Sequence, residues 1–220
     1  MIVGIITYDK YHLKTEQVLK NLIFNEKIEK INIYTLPFHD RKKRKILFEH
    51  RPKQILGLHP KHFLKYKKVT LNNWDGKSKL PQENKIFLIT GASIIDPKLG
   101  GNVGIINAHP GIIPTIRGLD SFKWAIYYKY PLGITLHYID EEVDKGRIIT
   151  IVETPIYKND TLIELANRHY ELEIETISNF LYHIKNPKPL KCEIKDAKMR
   201  MPFYIEQEMM KEFEDYKKKF

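Results

Sequence analysis

The chain has 220 residues, 42% of them hydrophobic and 29% charged, enough for one domain with a sizeable core. Its apolar runs are too short to span a bilayer or to serve as a secretory signal, and a single cysteine, Cys192, excludes an internal disulfide and a cysteine-built metal cluster. This composition predicts a soluble, cytoplasmic protein with no membrane partner. The net charge of +10 is uneven: residues 1–80 hold 18 Lys and Arg against 7 Asp and Glu, and the remainder 19 against 20. The basic excess peaks at Arg41-Lys42-Lys43-Arg44-Lys45. It suits a polyanionic ligand such as a phosphorylated substrate or nucleic acid, or a merely solvated face.

In chain order, Ile2–Thr7 is wholly apolar and reads as a buried parallel strand. Tyr11–Asn25 places Val18, Leu19, Leu22 and Ile23 at helical spacing. Ile31–Leu36 is a second strand stopped by Pro37, and Asp40 caps an expected basic helix through about Glu49, with Ile46 and Leu47 inward. Residues 51–81 read as loop with one short helix. Ile86–Thr90 and Val103–Asn107 are further strands, and Gly100-Gly101 turn the chain between them. Asp120 or Ser121 caps a helix to about Tyr128; Leu132–Ile139 and Arg147–Ile156 are strands around an acidic loop. Asp160 caps a long helix from Thr161 to about Ile184, and the tail holds a weak strand near Cys192–Ile194 and a helix from about Tyr204. This order predicts an α/β, Rossmann-like fold: a mostly parallel twisted sheet with helices on both faces. The expected organisation is a domain over 1–185 and a short C-terminal extension over 186–220. No dinucleotide or P-loop glycine pattern follows the first strand.

The chemistry concentrates after two strands. Asn107 offers a neutral N–H donor suited to a developing oxyanion. His109 lies two residues on, hence on the same face of an extended backbone, and can donate to that oxyanion or move a proton near neutral pH. Asp144, before Lys145-Gly146, can orient an imidazole and accept a proton from an attacking group. Neither Ser nor Cys adjoins His109, so these three residues describe acyl transfer in which the substrate supplies the nucleophile, an amine being the natural candidate. An alternative takes His109, His137 and Asp144 as two histidines and a carboxylate around a metal.

The pieces Asn107-Ala108-His109-Pro110-Gly111-Ile112-Ile113-Pro114-Thr115-Ile116-Arg117-Gly118 and Gly133 to Ile149, with Thr135, His137, Asp144 and Gly146, resemble the two-part signature of the folate-dependent formyltransferases. The close match runs from about Ile86 to Leu181. The resemblance implies a formyltransferase fold and transfer of a formyl group from 10-formyltetrahydrofolate to a primary amine, without a metal. It implies Asn107, His109 and Asp144 as the catalytic triad, and a folate pocket near Ser93, Ile94 and Ile95 and at Asp140, Glu141, Glu142 and Val143. His137, Gly111, Arg117 and Gly118 are implied in support. Gly111 stands where many members carry serine, so a hydroxyl near the site is expected to be missing.

Two features weigh against two of the family's acceptors. Thr7-Tyr8-Asp9-Lys10 lacks the Gly-Ser-Asn phosphate loop of phosphoribosylglycinamide formyltransferases, and the tail after Asn186 is short for the tRNA-binding domain of methionyl-tRNA formyltransferases. Arg117 to Ile126 looks most like the nucleotide-sugar N-formyltransferases, which implies a dTDP- or UDP-linked amino-deoxysugar as the small-molecule partner. Its base could stack on Trp74 or a tyrosine. Nucleic acid is not the expected partner, and the tail after Asn186 is a candidate homodimer interface. Formyl transfer to phosphoribosylglycinamide or methionyl-tRNA, hydrolysis of 10-formyltetrahydrofolate, and a nucleic-acid binder built on an old enzyme fold are the competing readings.

Overall fold

A computed structural model describes residues 1–38, 44–139, 147–184 and 196–220. Among these residues, seven strands form one sheet in the order β3-β2-β1-β4-β5-β6-β7. They are β1 (Ile2–Tyr8), β2 (Lys30–Leu36), β3 (Val69–Asn73), β4 (Ile86–Ile89), β5 (Ile105–His109), β6 (Gly133–Tyr138) and β7 (Ile148–Glu153). The helices are α1 (Leu13–Ile23), α2 (Ser121–Tyr127), α3 (Leu162–Ser178), α4 (Phe180–His183), α5 (Phe203–Lys211) and α6 (Phe213–Lys219). β1 to β5 pair in parallel, and β6 and β7 join antiparallel. The chain is the mostly parallel, Rossmann-like α/β sheet expected from its sequence. β1 lies between β2 and β4, so the chain winds outward in one direction and then the other, and the crevice at such a reversal opens at the strands' carboxyl ends.

The apolar runs build this sheet because both faces are covered. On one face Val3, Ile5, Ile31, Ile33, Leu88, Ile106 and Ile134 pack against Val18, Leu19 and Leu22 of α1 and Ile174 and Ile177 of α3. On the other, Ile6, Tyr34, Phe87 and Ile105 lie under Trp74, Leu80 and Ile95, which come from loops. Trp74 is therefore a core residue whose indole N–H donates to Ser78 O, and it is not exposed for stacking on a base. A third cluster joins α2 and the start of α3 to Met201, Met209, Phe213 and Tyr216.

Several local expectations change. Residues 44–49 form no helix, and Ile46 and Leu47 are exposed (Asp40 lies outside the described residues). The backbone N–H groups of Leu47 and Phe48, which a helix would give to its own carbonyls, donate instead to Glu206 of α5. From Arg44 to Leu58 the chain is a strap. Arg44 pairs with Asp120, His50 stacks on Phe122 with ring centroids 5.7 Å apart, Arg51 pairs with Glu173, and Leu58 N donates to Glu16. Residues 51–81 hold two 3-10 turns, Gln54–Leu56 and Pro60–Lys65, and the edge strand β3. β5 starts two residues later than expected and ends at His109, so His109 is a strand residue rather than one beyond the strand end. Asp160 does not cap α3. Thr161 and Glu164 form a capping box, while Asp160 binds Arg168 at 2.6 and 2.7 Å. Asp120 gives α2 no side-chain cap either, because its carboxylate takes Arg44 and the Met201 N–H. The long helices break at Asn179 and Glu212. The strand expected near Cys192–Ile194 lies outside the described residues.

Candidate active site

Strand alternation puts Ile106 and Ala108 of β5 into the α3-facing core, so Asn107 and His109 point to the opposite face. The antiparallel register places Asn107 across from His137 and His109 across from Thr135. Four polar side chains of β5 and β6 thus share the carboxyl end of one sheet face. His137 is fully buried, and its Nδ1–H donates to Tyr138 O at 3.1 Å. That bond makes Nε2 the accepting nitrogen of the neutral ring, and Asn107 Nδ2 approaches it in a long contact of 3.5 Å. The contact turns the Asn107 amide so that its nitrogen side lies toward β6. A primary amide carries two N–H groups, and His137 takes one.

His109 is 3% exposed. Its Nε2 lies 3.1 Å from Ile116 O, which can only accept, so Nε2 carries a hydrogen. The same nitrogen is 3.2 Å from Ser121 Oγ, the first residue of α2, whose hydroxyl donates to Gly118 O at 3.0 Å. A hydroxyl does stand beside His109, therefore, although residue 111 is glycine. A Cβ on Gly111 would lie 2.9 Å from His109 Nε2 and 2.9 Å from Ser121 Cβ. The loop after β5 is tied back to β6: Thr135 Oγ1 donates to Gly111 O at 2.6 Å and accepts from Ile113 N at 3.1 Å. Gly118 has φ +87°, and a Cβ there would meet Lys198 O at 2.2 Å, because residues 117–119 and 198 pair as a parallel bridge. Arg117 is buried, and its carbonyl accepts from Lys198 N.

Behind this loop, His169 of α3 bonds Pro110 O through Nε2 at 3.3 Å and Thr154 Oγ1 through Nδ1 at 2.7 Å. Burial lowers its pKa to about 4, so it is a neutral clamp on the peptide after His109. One turn along α3, Glu173 pairs with Lys14 of α1 at 2.6 Å and with Arg51 of the strap at 2.8 Å. Burial would raise the Glu173 pKa, but Arg51 and Lys14 outweigh it and hold the carboxylate down at about 2. His12, at the start of α1, has its pKa lowered to about 4 by burial and by Lys14. Sequence reasoning did not find His12, His169, Glu173 or Ser121 as neighbours of the site.

The other expected residues divide. β4 runs beside β5 with Ile89 in register with Asn107, and the loop carrying Ser93, Ile94 and Ile95 follows from the carboxyl end of β4. Ser93 is exposed and Ile94 is 84% exposed, whereas Ile95 turns into the core. Asp140, Glu141, Glu142, Val143 and Asp144 lie outside the described residues. Among the described residues no three metal-ligating side chains are gathered, and Asp144, the third ligand of the metal alternative, is outside them. No described helix is long and apolar enough to cross a membrane.

Residues 91–181 match the model of the formyl transferase family. The resemblance read from the two motifs therefore holds over that stretch. Over 72 residues the chain is 35% identical to the phosphoribosylglycinamide formyltransferase of Haemophilus influenzae, covering 32% of this chain and 34% of that protein. Over 66 residues it is 38% identical to the methionyl-tRNA formyltransferase of Geobacillus thermodenitrificans, covering 30% of this chain and 21% of that protein. The chain thus spans about a third or less of these curated relatives. Its fold is that of a sugar N-formyltransferase from a Shewanella species, with a TM-score of 0.58 at 20% identity, covering 90% of this chain and 75% of that one. The formyltransferase PseJ from Anoxybacillus kamchatkensis, solved with UDP-4,6-dideoxy-4-formamido-L-AltNAc and tetrahydrofolate, has a TM-score of 0.51 at 18% identity, covering 89% of this chain and 84% of that one.

Proposed function

We propose that this protein is an N-formyltransferase that moves a formyl group from 10-formyltetrahydrofolate to the amino group of a nucleotide-linked amino-deoxysugar. The observation that carries the reading is the pairing of Asn107 and His109 on one face of β5, in register with His137 and Thr135, inside the stretch that matches the formyl transferase family. The proposed catalytic domain is 1–185, with 186–220 as an extension whose helices α5 and α6 pack on α2.

When bound, 10-formyltetrahydrofolate supplies an activated formyl carbon, and the acceptor supplies the attacking amine. The second N–H of Asn107 donates to the formyl oxygen as negative charge gathers there. His109 faces the same oxygen and is held in place by Asp144. Asp144, assigned from its motif alone, takes the proton released by the amine once the new C–N bond forms and returns it to the departing folate nitrogen. Ile94 is exposed in the loop after β4, and a planar heterocycle laid on it would cover an apolar side chain that is otherwise in water.

The acceptor rests on the Arg117–Ile126 resemblance and on sugar N-formyltransferases among the structural neighbours. The test is an acceptor panel with 10-formyltetrahydrofolate: dTDP- and UDP-linked amino sugars, phosphoribosylglycinamide and methionyl-tRNA. The reading expects tetrahydrofolate release with an amino sugar. Preference for either of the other two amines replaces the acceptor and keeps the chemistry; formate release without any amine replaces transfer with hydrolysis.

A further inference from the structure

We infer that Ser121 is a positioning residue of His109: its hydroxyl, from the first turn of α2, joins Ile116 O in fixing which imidazole nitrogen carries the permanent hydrogen. The role rests on the formyl-transfer reading, but the geometry beneath it stands alone. Ser121 is fully buried and has one hydroxyl hydrogen, which it gives to Gly118 O at 3.0 Å. Its oxygen can then only accept from His109 Nε2, 3.2 Å away. Ile116 O, also acceptor-only, lies 3.1 Å from the same nitrogen. Two acceptors facing one ring nitrogen exclude the tautomer that would leave a lone pair there, since an acceptor opposite a lone pair is repulsive and unsatisfied. The proton that His109 gains and loses is therefore the one on Nδ1.

Gly111 is part of the same device. A side chain at position 111 would enter the space that Ser121 Cβ and His109 Nε2 already occupy. The hydroxyl is thus delivered from the helix, and glycine at 111 is what admits it. The three acceptor groups come from one stretch, since Ile116, Gly118 and Ser121 lie within six positions and residues 117–119 are pinned by the bridge to Lys198.

Two measurements test this on the full chain. The first is independent of turnover: nitrogen-15 spectra of labelled histidines, with the His109 signal assigned by its loss in His109→Asn. The parent is expected to show Nε2 protonated at neutral pH, and Ser121→Ala a displaced Nε2 resonance with Nδ1 still the titrating nitrogen. A lone pair on Nε2 in the parent, or an Nε2 signal indifferent to Ser121→Ala, overturns the assignment. The second is kinetic. Ser121→Ala is expected to lower kcat about tenfold, equivalent to about 1.4 kcal/mol, with KM for both substrates within about twofold, and Ser121→Thr to restore most of it. If Ser121→Thr does not fold, Ser121→Cys takes its place, with an intermediate kcat expected from its weaker acceptor. Loss confined to KM, or no rescue in a folded variant, removes the kinetic role. An inactive parent counts against formyl transfer, and the spectra still decide for or against Ser121.

Discussion

Lys123 of α2 and Glu206 of α5 form an ion pair closed to solvent on both sides. Glu206 also accepts the backbone N–H groups of Leu47 and Phe48, so one carboxylate ties the C-terminal extension, the strap and the helix that carries Ser121. Removing one partner of a buried pair leaves the other charged and unsolvated. Lys123→Met is accordingly expected to cost about 3–5 kcal/mol in urea unfolding. Lys123→Met with Glu206→Gln is expected to cost less than Lys123→Met alone, because no bare charge remains. Equal losses in the two variants would show that the pair matters only as packing.

Gly118 links that extension to the site. At φ +87° and with Lys198 O in the way of a Cβ, Gly118→Ala meets both a backbone and a steric conflict. The variant is expected to lose about 1–3 kcal/mol and to lower kcat as well, since Gly118 O holds the Ser121 hydroxyl. Thermal unfolding and kinetics on one preparation check both. An unchanged kcat would separate the bridge from the site.

Stability should fall in mild acid because buried histidines, His12, His50 and His169 among them, are held below the ordinary imidazole range. His12 and His169 have folded pKa values of about 4, below the ordinary 6.5. The unfolded chain therefore binds protons that the folded chain refuses. Stability is complete above about pH 6.5 and is lost as pH falls toward 4, at up to about 1.4 kcal/mol per pH unit for each histidine. Glu173 adds to the loss only further down, as pH falls from its ordinary value of 4.5 toward 2. His169→Asn should flatten the slope between pH 6.5 and 4 in denaturant titrations. The same slope in that variant would exclude His169 as a source.

Much of the sheet was legible because its strands are buried on both faces. Ile2–Thr7, Ile31–Leu36 and Leu132–Ile139 read as strands from the sequence and match β1, β2 and β6 to within one residue at each end. β3 was not legible, since it is five residues at a sheet edge, half polar, behind Lys65-Tyr66-Lys67-Lys68. One of those lysines is structural: Lys68 Nζ donates to Asn25 O and Ile28 O. The strap read as a helix because its pattern of basic and apolar residues is helical, while its partners Glu206 and Asp120 lie far away in sequence. In the site, Asn107 and His109 were legible from their spacing and the two-part motif. Ser121 was not, because its relation to His109 exists only after the loop folds back twelve residues.

The catalytic assignment predicts a steep response at β5. Asn107→Ala and His109→Ala should each lower kcat by about 100-fold or more, as loss of an oxyanion donor does elsewhere, with the fold retained by circular dichroism. Asp144→Ala should do the same. Rates within a few-fold of the parent in any of the three would remove that residue from the mechanism.

The central claim is that Asn107, His109 and Asp144 make one formyl-transfer centre. Its most direct measurement is tetrahydrofolate release, with and without an amine acceptor and in the presence of a chelator, by the parent and by Asn107→Ala. Amine-dependent release that survives the chelator and is abolished in Asn107→Ala is the expected result. Release that needs no amine, stops on chelation, or continues unchanged without the Asn107 amide would contradict it.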